Sequence, residues 1–464
     1  NKTKIVCSIG PASSKVETLE KMIDAGMNVA RFNMSHGTHE SHKTLIEAVK
    51  TARANKGKSV GILIDTKGPE IRVKQFEKGK IFLKENDDFV LTTKEVLGNQ
   101  ERVSVTYKNL PKSLSKDTRI LLNDGNIELK VKKLTATDIT CTVVHGGELS
   151  NNKSINIPGV KTDMPYLSEQ DKKDILFAKE MNADFLAISF VNTAQDVIDV
   201  KKYLKEINFK DIKIISKIES QEGVENFDKI LKQSDGIMVA RGDLGVEIDY
   251  EKLPILQKEF IEKSIYYGKI VITATQMLES MITNPRPTRA EISDVANAIF
   301  DGSTAIMLSG ETASGNNVVE SVATMKRIAI ETENYTIAKN VEFKTHDTTK
   351  SLAYAVYALT QTEDVKAVLA VTKSGATVEN ISKFRPKIPI IASTPSEKVY
   401  NRMSILYGVN PVMDKNFKNI DELNNSSYKK ALETKILKTG DKVVFVSGLV
   451  AGKSGSNLML IKRL

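Results

Sequence analysis

Polar side chains of a restricted kind recur at the ends of short apolar runs in this chain. Arg31, Asn33 and Ser35 follow the second such run, and Asp65, Thr66 and Lys67 the third. Lys217 and Glu219 end the fifth, Arg241 and Asp243 the sixth, Thr275 and Gln276 the seventh, Ser309 and Glu311 the eighth. Glu219 and Asp243 offer hard oxygen ligands suited to Mg²⁺ (or Mn²⁺), which binds through one or two carboxylates and leaves positions open for phosphate and water. Lys217 beside them is a compact positive charge. With Arg31 and Arg72 the set can clamp a phosphoryl group in transfer, where positioning and charge neutralisation carry most of the catalysis. Loops are polar in any case, and an ion-pair network would use the same residue types. Convergence from six strands onto one face favours a site.

The elements that must position these residues alternate between strand and helix. The apolar runs are Lys4–Ser8, Asn28–Asn33, Val60–Asp65, Asp184–Phe190, Lys213–Lys217, Gly236–Ala240, Lys269–Ala274 and Thr304–Leu308. Helical patterns lie between them, at Lys15–Ala25, Glu40–Asn55, Ala194–Glu206, Val224–Lys232 and Leu253–Tyr267, with Gly26 and Gly268 placed to end two of them. Eight alternations predict an α/β fold, a (β/α)₈ TIM barrel, whose site lies at the carboxyl ends of its strands. Roughly 120 residues separate the third run from the fourth, far more than a helical crossover needs. Within that stretch the pattern changes to alternation with turn residues, which predicts an inserted antiparallel β domain. From about Ser351 strands and helices alternate again, predicting a C-terminal, doubly wound α/β domain. The expected partition is residues 1–70 and 160–330 for the catalytic barrel, 71–159 for the insertion, and 331–464 for the C-terminal domain.

Composition excludes several classes. With 464 residues the chain is too long for one core, and its 41% hydrophobic and 27% charged residues are those of a globular protein. No apolar run approaches the ~18–20 residues that span a bilayer, so no membrane role is expected. Two cysteines, Cys7 and Cys141, support neither a disulfide framework nor a cysteine-rich zinc site, which points to a reducing compartment, the cytoplasm. The net charge of +9 is spread among interleaved signs, and aromatics are 6% with no Trp. Small phosphorylated ligands are therefore expected ahead of nucleic acid.

Longer motifs carry a resemblance. The runs RFNMSHG (31–37), DTKGPEIR (65–72), SKIES (216–220), VARGDLG (239–245), TATQMLESM (273–281), PRPTRAEISDVANA (285–298) and MLSGETASG (307–315) resemble the pyruvate kinase family, as does NIPGVKTDMP (156–165) at the exit of the insertion. The resemblance implies a barrel, an inserted β-barrel lid and a C-terminal α/β domain, and phosphoryl transfer from phosphoenolpyruvate to ADP, giving pyruvate and ATP in glycolysis. By similarity Lys217 stabilises the phosphoryl in flight, Glu219 and Asp243 hold the divalent metal, and Arg31 contacts the substrate phosphate. The amides at Gly242 and Asp243 would receive the substrate carboxylate. Thr275 lies where the enolate is protonated, as an orienter of water, since a threonine hydroxyl is a poor acid. Asn33, Ser35, Asp65 and Thr66 match monovalent-cation ligands, and Glu70 accompanies K⁺ dependence in the family. Asn33, His36, Arg72 and Lys153 match nucleotide-contacting positions. A homotetramer is implied as well.

In the C-terminal domain, Thr372, Lys373, Ser374, Gly375, Ala376 and Thr377 follow a strand and open a helix, a phosphate cradle in the making. The family places a phosphorylated effector there, beneath the loop Gly452–Asn457. Asn192, Ser154 and Asn317-Val318 depart from the family pattern, outside the residues proposed to touch substrate. Gly448–Ser454 nearly makes a Walker A loop, but it is one residue short and a strand follows. His36, His39 and His42 could suggest zinc, yet no fourth ligand is suitably spaced. Two other readings stand beside the leading one. One is a non-catalytic, phosphometabolite-sensing relative; the other is a divalent-metal aldolase or lyase, which would have no use for the monovalent-cation set.

Overall fold

The computed structural model describes residues 1–335, 347–415, 420–447 and 458–464. Strands β1 (Lys4–Ser8), β2 (Val29–Asn33), β3 (Gly61–Asp65), β4 (Phe185–Ile188), β5 (Lys213–Ile218), β6 (Gly236–Ala240), β7 (Ile270–Ala274) and β8 (Ala305–Leu308) pair in parallel in chain order. β8 returns to β1, in the register Lys4 with Ala305, and closes the barrel. Both strand faces are buried, so the strands read as continuous apolar runs rather than as alternations. One face packs on the surrounding helices through Ile5, Ile62, Ile214 and Ile237. The other fills the barrel with Val6, Val29, Leu63, Phe185, Ile215, Met238 and Ile272. Gly236 is required where β6 passes between its neighbours, since a Cβ there would lie 2.7 Å from Ile215 and 2.8 Å from Ile270.

The helices fall where the sequence placed them, with one difference. The pattern read over Val224–Lys232 is two helices, Gln221–Glu225 and Phe227–Gln233, separated at Asn226. Asn226 turns the chain because its amide nitrogen donates to the carbonyls of Asn192 (3.0 Å) and Glu222 (3.1 Å), a local competition with helix that short polar side chains favour.

Between β3 and β4 the insertion forms a seven-stranded sheet around its own core, with Phe89, Leu91, Ile120, Leu129 and Val143 at its centre. Its pairing is antiparallel except where Arg102–Ser104 runs parallel to Asp88–Thr92, a strand too short for the sequence pattern to show. The edges of that sheet meet: Lys74 N donates to Ser104 O (2.8 Å) and Thr106 N to Arg72 O (2.9 Å) around a Val73–Val105 bridge. The insertion is thus a sheet curled back on itself, as the β-barrel lid reading requires.

The C-terminal domain is a five-stranded sheet of β9 (Ala367–Val371), β10 (Ile390–Thr394), β11 (Val409–Met413), β12 (Lys442–Ser447) and β13 (Leu458–Arg463), in the order β11-β10-β9-β12-β13. β13 is antiparallel to β12. This sheet's core is continuous with the plug of the barrel, through Val6, Phe185 and Ile270 on one side and Val368, Ile390 and Leu406 on the other. No helix among the described residues is long and apolar enough to cross a membrane.

Candidate active site

The strand period of two explains how the charged side chains come together. Side chains at i, i+2 and i+4 share a face. Val29 and Leu63 lie in the barrel plug, so Arg31, Asn33 and Asp65 continue their rows toward the carboxyl end. In the same way Lys217 and Glu219 follow Ile215, and Ser189 follows Phe185 and Ala187. The plug closes the bottom, and a polar layer sits directly above it.

Asp65, with no exposed surface, is the hub of this layer. Its Oδ2 accepts from Arg31 Nε at 2.7 Å and pairs with Arg31 Nη2 at 2.6 Å, while Oδ1 lies 3.2 Å from both Lys217 Nζ and Ser189 Oγ. Arg31 also donates to Ser8 Oγ at 2.7 Å. Burial alone would push the Asp65 carboxyl up, but Lys217 and Arg31 outweigh it and hold the group below the usual carboxylate range. Lys217 Nζ is further bonded to Ser189 Oγ (2.7 Å) and paired with Glu219 Oε1 (2.9 Å). Burial works against its charge, yet Asp65 and Glu219 carry its pKa above the normal lysine value. Lys217 is therefore a fixed cation, not a proton donor.

Glu219 has the opposite balance. It is fully buried; Oε2 accepts from Phe190 N at 2.7 Å, but Oε1 receives no well-directed hydrogen bond despite the nearby ammonium. Burial first, with repulsion from Asp243 against the pull of Lys217, pushes its pKa up to about 8. An under-compensated buried carboxylate beside a second acid is the environment a divalent cation relieves. The donors fit Mg²⁺ or Mn²⁺ in kind and in number. No cluster of three or more His, Cys, Asp or Glu suited to a metal occurs among the described residues. For a monovalent cation the register sets Asn33 directly beside Asp65, and Asn33 Oδ1 accepts from Ser35 N at 3.1 Å. Thr66 is buried next to them, so amide, hydroxyl and carboxylate oxygens share one corner, a donor set that fits K⁺.

Thr275 sits at the end of β7 with φ of +69°, a conformation a β-branched residue adopts only under constraint. Its hydroxyl accepts from Gly242 N at 2.8 Å and donates to Ala274 O at 2.6 Å. The constraint comes from Arg241, which donates to Thr275 O (2.6 Å) and Ala274 O (3.2 Å) and is anchored to Asp294 (2.7 Å). Where the chain enters the insertion, Arg72 forks onto Glu70 (2.7 and 2.8 Å) and donates to Asn152 O (2.7 Å). Burial raises the Glu70 pKa against the pull of Arg72. Lys153 immediately precedes the strand Ser154–Asn156, whose Ser154 pairs with Arg72, and its carbonyl accepts from Val73 N. His36 is exposed at the rim, its pKa lowered by partial burial and by Arg72 and Arg31.

Ser189 and Arg241 are the site residues that sequence reasoning left without a role. For Ser189 the signal was available, since it continues the inward parity of Phe185 and Ala187. For Arg241 nothing in the sequence shows that it reaches across to the neighbouring strand end. The histidines part company: His39 pairs with Asp174 (2.7 Å) and stacks on Phe177, while His42 bonds His36 O (2.6 Å). The three divergent positions have local partners. Asn192 Oδ1 accepts from Ser220, Ser154 Oγ donates to Asp124 (3.0 Å), and Asn317 donates to Met281 O (3.2 Å) and Asn284 O (3.0 Å).

In the C-terminal cradle, Thr372 Oγ1 accepts from Gly375 N (2.9 Å) and Ser374 Oγ from Ala376 N (3.4 Å), so two of its amides are internally satisfied. Lys373 and Thr377 flank that turn. The near-Walker loop and the closing loop Gly452–Asn457 lie outside the described residues.

A parallel barrel with buried carboxylates, a fixed ammonium and an arginine at its strand ends defines an enzyme of the kind that handles phosphoryl groups. Comparison with known proteins agrees: residues 1–322 match the family profile for the pyruvate kinase barrel domain, and residues 350–462 that for the pyruvate kinase alpha/beta domain. The chain is 47% identical over 468 residues to a pyruvate kinase of Sporosarcina psychrophila. It is 46% identical to those of Bacillus licheniformis and Geobacillus stearothermophilus, in each case over 99% of this chain and 80% of the relative. The chain belongs to the pyruvate kinase family, and it is a kinase, a transferase.

Proposed function

We propose that this protein transfers the phosphoryl group of phosphoenolpyruvate to ADP, giving pyruvate and ATP, with Mg²⁺ (or Mn²⁺) and K⁺. The observation that carries the reading is the buried Lys217 ammonium, held between Asp65, Ser189 and Glu219 at the carboxyl end of β5. A divalent metal held by Glu219 and Asp243 would supply positive charge to the phosphoryl oxygens and the enolate. Lys217 adds a second, pre-oriented charge that needs no reorganisation during transfer. Arg31, fixed by Asp65 and Ser8, presents its remaining guanidinium hydrogens to the substrate phosphate. Asp243 N is the amide for the substrate carboxylate, because Gly242 N is already held by Thr275. Thr275 orients the water that protonates the enolate. Asn33, His36, Arg72 and Lys153 contact ADP from the lid side.

On this reading the barrel (1–70 and 160–330) does the chemistry, the lid (71–159) closes over ADP, and the C-terminal unit (331–464) holds a phosphorylated effector at Thr372, Lys373, Ser374, Gly375 and Thr377. Assembly is as a homotetramer in the cytoplasm. A purely sensing relative is disfavoured, since it would have no use for a complete Lys217, Glu219, Asp243 and Thr275 set. The test is pyruvate formation from phosphoenolpyruvate and ADP with Mg²⁺, with and without K⁺. Dependence on both ions supports the reading; activity with Mg²⁺ alone removes the role given to Glu70; no activity refutes the reaction.

A further inference from the structure

A second concentration of charge lies at the other end of the barrel, remote from the polar layer. Where the amino ends of β5 and β7 meet the C-terminal domain, the structure forms a half-open cavity of about 190 Å³. One water needs roughly 10–15 Å³ of such space, so this is room for a small solute rather than a packing defect. Lys213, Lys269, Lys383, Arg385 and Arg402 line it, against only two carboxylates, Asp235 and Glu379. Both carboxylates are engaged by Lys213, at 3.6 Å from Asp235 and 3.2 Å from Glu379.

Lys269, Arg385 and Arg402 make no such ion pair with the described residues, although the Arg385 guanidinium stacks over the Tyr407 ring at 3.7 Å. Lys269 Nζ bonds Ser234 O (2.6 Å), and Arg385 bonds the carbonyls of Gly302 (2.6 Å) and Ser303 (3.2 Å). Arg402 bonds Asp211 O (3.3 Å) and Ser374 O. Among the described residues none of these three is ion-paired to a carboxylate, and Arg402 Nε is buried with no hydrogen-bond partner at all. Carbonyl dipoles orient a cation without neutralising it, and a desolvated charge without its opposite is costly. Burial, reinforced by Lys201 and Lys213, also lowers the pKa of Lys269 against the pull of Asp235. This end of the fold carries more positive charge than the protein balances.

We propose that this interdomain cavity binds a phosphoryl-type dianion, free or as a phosphomonoester, through Lys269, Arg385 and Arg402. The site adjoins the Thr372–Thr377 turn, where Arg402 bonds Ser374 O, but no residue of that turn lines the cavity; it does not rest on the catalytic reading, because its test reads binding. Its ligand would tie the C-terminal domain to the base of β5, the strand whose far end carries Lys217.

The experiment is calorimetric titration of the full chain with inorganic phosphate and, separately, with glycerol 2-phosphate, at constant ionic strength. Lys269→Met and Ser374→Ala are compared with wild type. Expected are binding to wild type and to Ser374→Ala, and a dissociation constant at least tenfold weaker in Lys269→Met. The second titration decides whether the esterified form also enters. Binding unchanged in Lys269→Met overturns the proposal: if it is lost in Ser374→Ala the anion sits in the C-terminal turn, and if it is kept there too the anion sits elsewhere, as at Arg31 and Lys217. So that a poorly folded Lys269→Met cannot leave the matter open, wild-type crystals are soaked in selenate: an anomalous peak in the cavity supports the site, and an empty cavity overturns it.

Discussion

Ser189→Ala isolates the geometry of the polar layer better than removal of any charge. Ser189 Oγ accepts from Lys217 Nζ at 2.7 Å and donates to Thr66 O at 2.7 Å, so it fixes where the ammonium points and ties it to the neighbouring strand end. A hydrogen bond to a charged group contributes about 1.5–3 kcal/mol. Lys217 keeps Asp65 at 3.2 Å and Glu219 at 2.9 Å after the change, so its charge stays compensated and the loss belongs in the lower half of that range. At about 1.4 kcal/mol per factor of ten, turnover should fall about 10- to 50-fold. The lost interaction matters most when the phosphoryl is between donor and acceptor, so kcat should carry most of the fall and KM for phosphoenolpyruvate little of it. The assay is steady-state pyruvate formation at saturating Mg²⁺ and K⁺. Ser216→Ala is the control, because Ser216 lies in β5 next to Lys217 but its side chain bonds Ser234 at 2.7 Å and not the ammonium. A folded Ser189→Ala enzyme within twofold of wild-type turnover, or an equal fall in Ser216→Ala, would refute the reasoning.

Three other expectations follow from the same structure. Glu219→Gln keeps the shape but removes the charge of the buried carboxylate proposed to hold the metal, so the Mg²⁺ concentration for half-maximal activity should rise at least about tenfold; an unchanged Mg²⁺ titration would remove Glu219 from the metal site. Arg241→Lys replaces a planar fork that holds both Thr275 O and Ala274 O with a single point charge, so the strained turn relaxes. Because such strain stores about 1–3 kcal/mol, kcat should drop about 5- to 100-fold, and a drop confined to KM would show that Arg241 serves binding alone. Lys4 is buried against Val409 O (2.6 Å), and burial, opposed by Glu333, lowers its pKa to about 8. Its folded value lies below its unfolded one, so between about pH 8 and about pH 10 the unfolded chain holds the extra proton and the stability contributed at this site rises with pH. Denaturant unfolding should show wild type gaining on Lys4→Met by up to about 1.4 kcal/mol per pH unit there, and a gap that is flat or closes would contradict the burial of a neutral amine.

Much of this is legible in the sequence. The strand runs, the oversized third connection and the change of periodicity within it gave three domains, because burial on both faces of a parallel strand leaves a continuous apolar run and a curled antiparallel sheet leaves an alternation. Lys217, Glu219, Arg31 and Asp65 could be chosen because each ends such a run, and parity would have added Ser189. The short strand Arg102–Ser104 escaped notice because three residues are too few to carry a period. The break at Asn226 escaped it because a side-chain hydrogen bond to Asn192, remote in sequence, sets that turn.

What the sequence by itself determined is therefore the list of chemical groups and the face each must occupy, since strand parity and apolar runs are local properties. Only the tertiary structure decided how those groups divide the work. Asp65 is held ionised because two cations from β2 and β5 reach it, whereas Glu219, equally buried, is left under-compensated and in want of a metal. Thr275 is strained because Arg241 crosses from the next strand to grip its backbone. At the opposite end, the uncompensated charge of Lys269, Arg385 and Arg402 exists only where two domains meet. Each of these outcomes depends on distance and desolvation between residues far apart in the chain, and neither quantity is written in residue order.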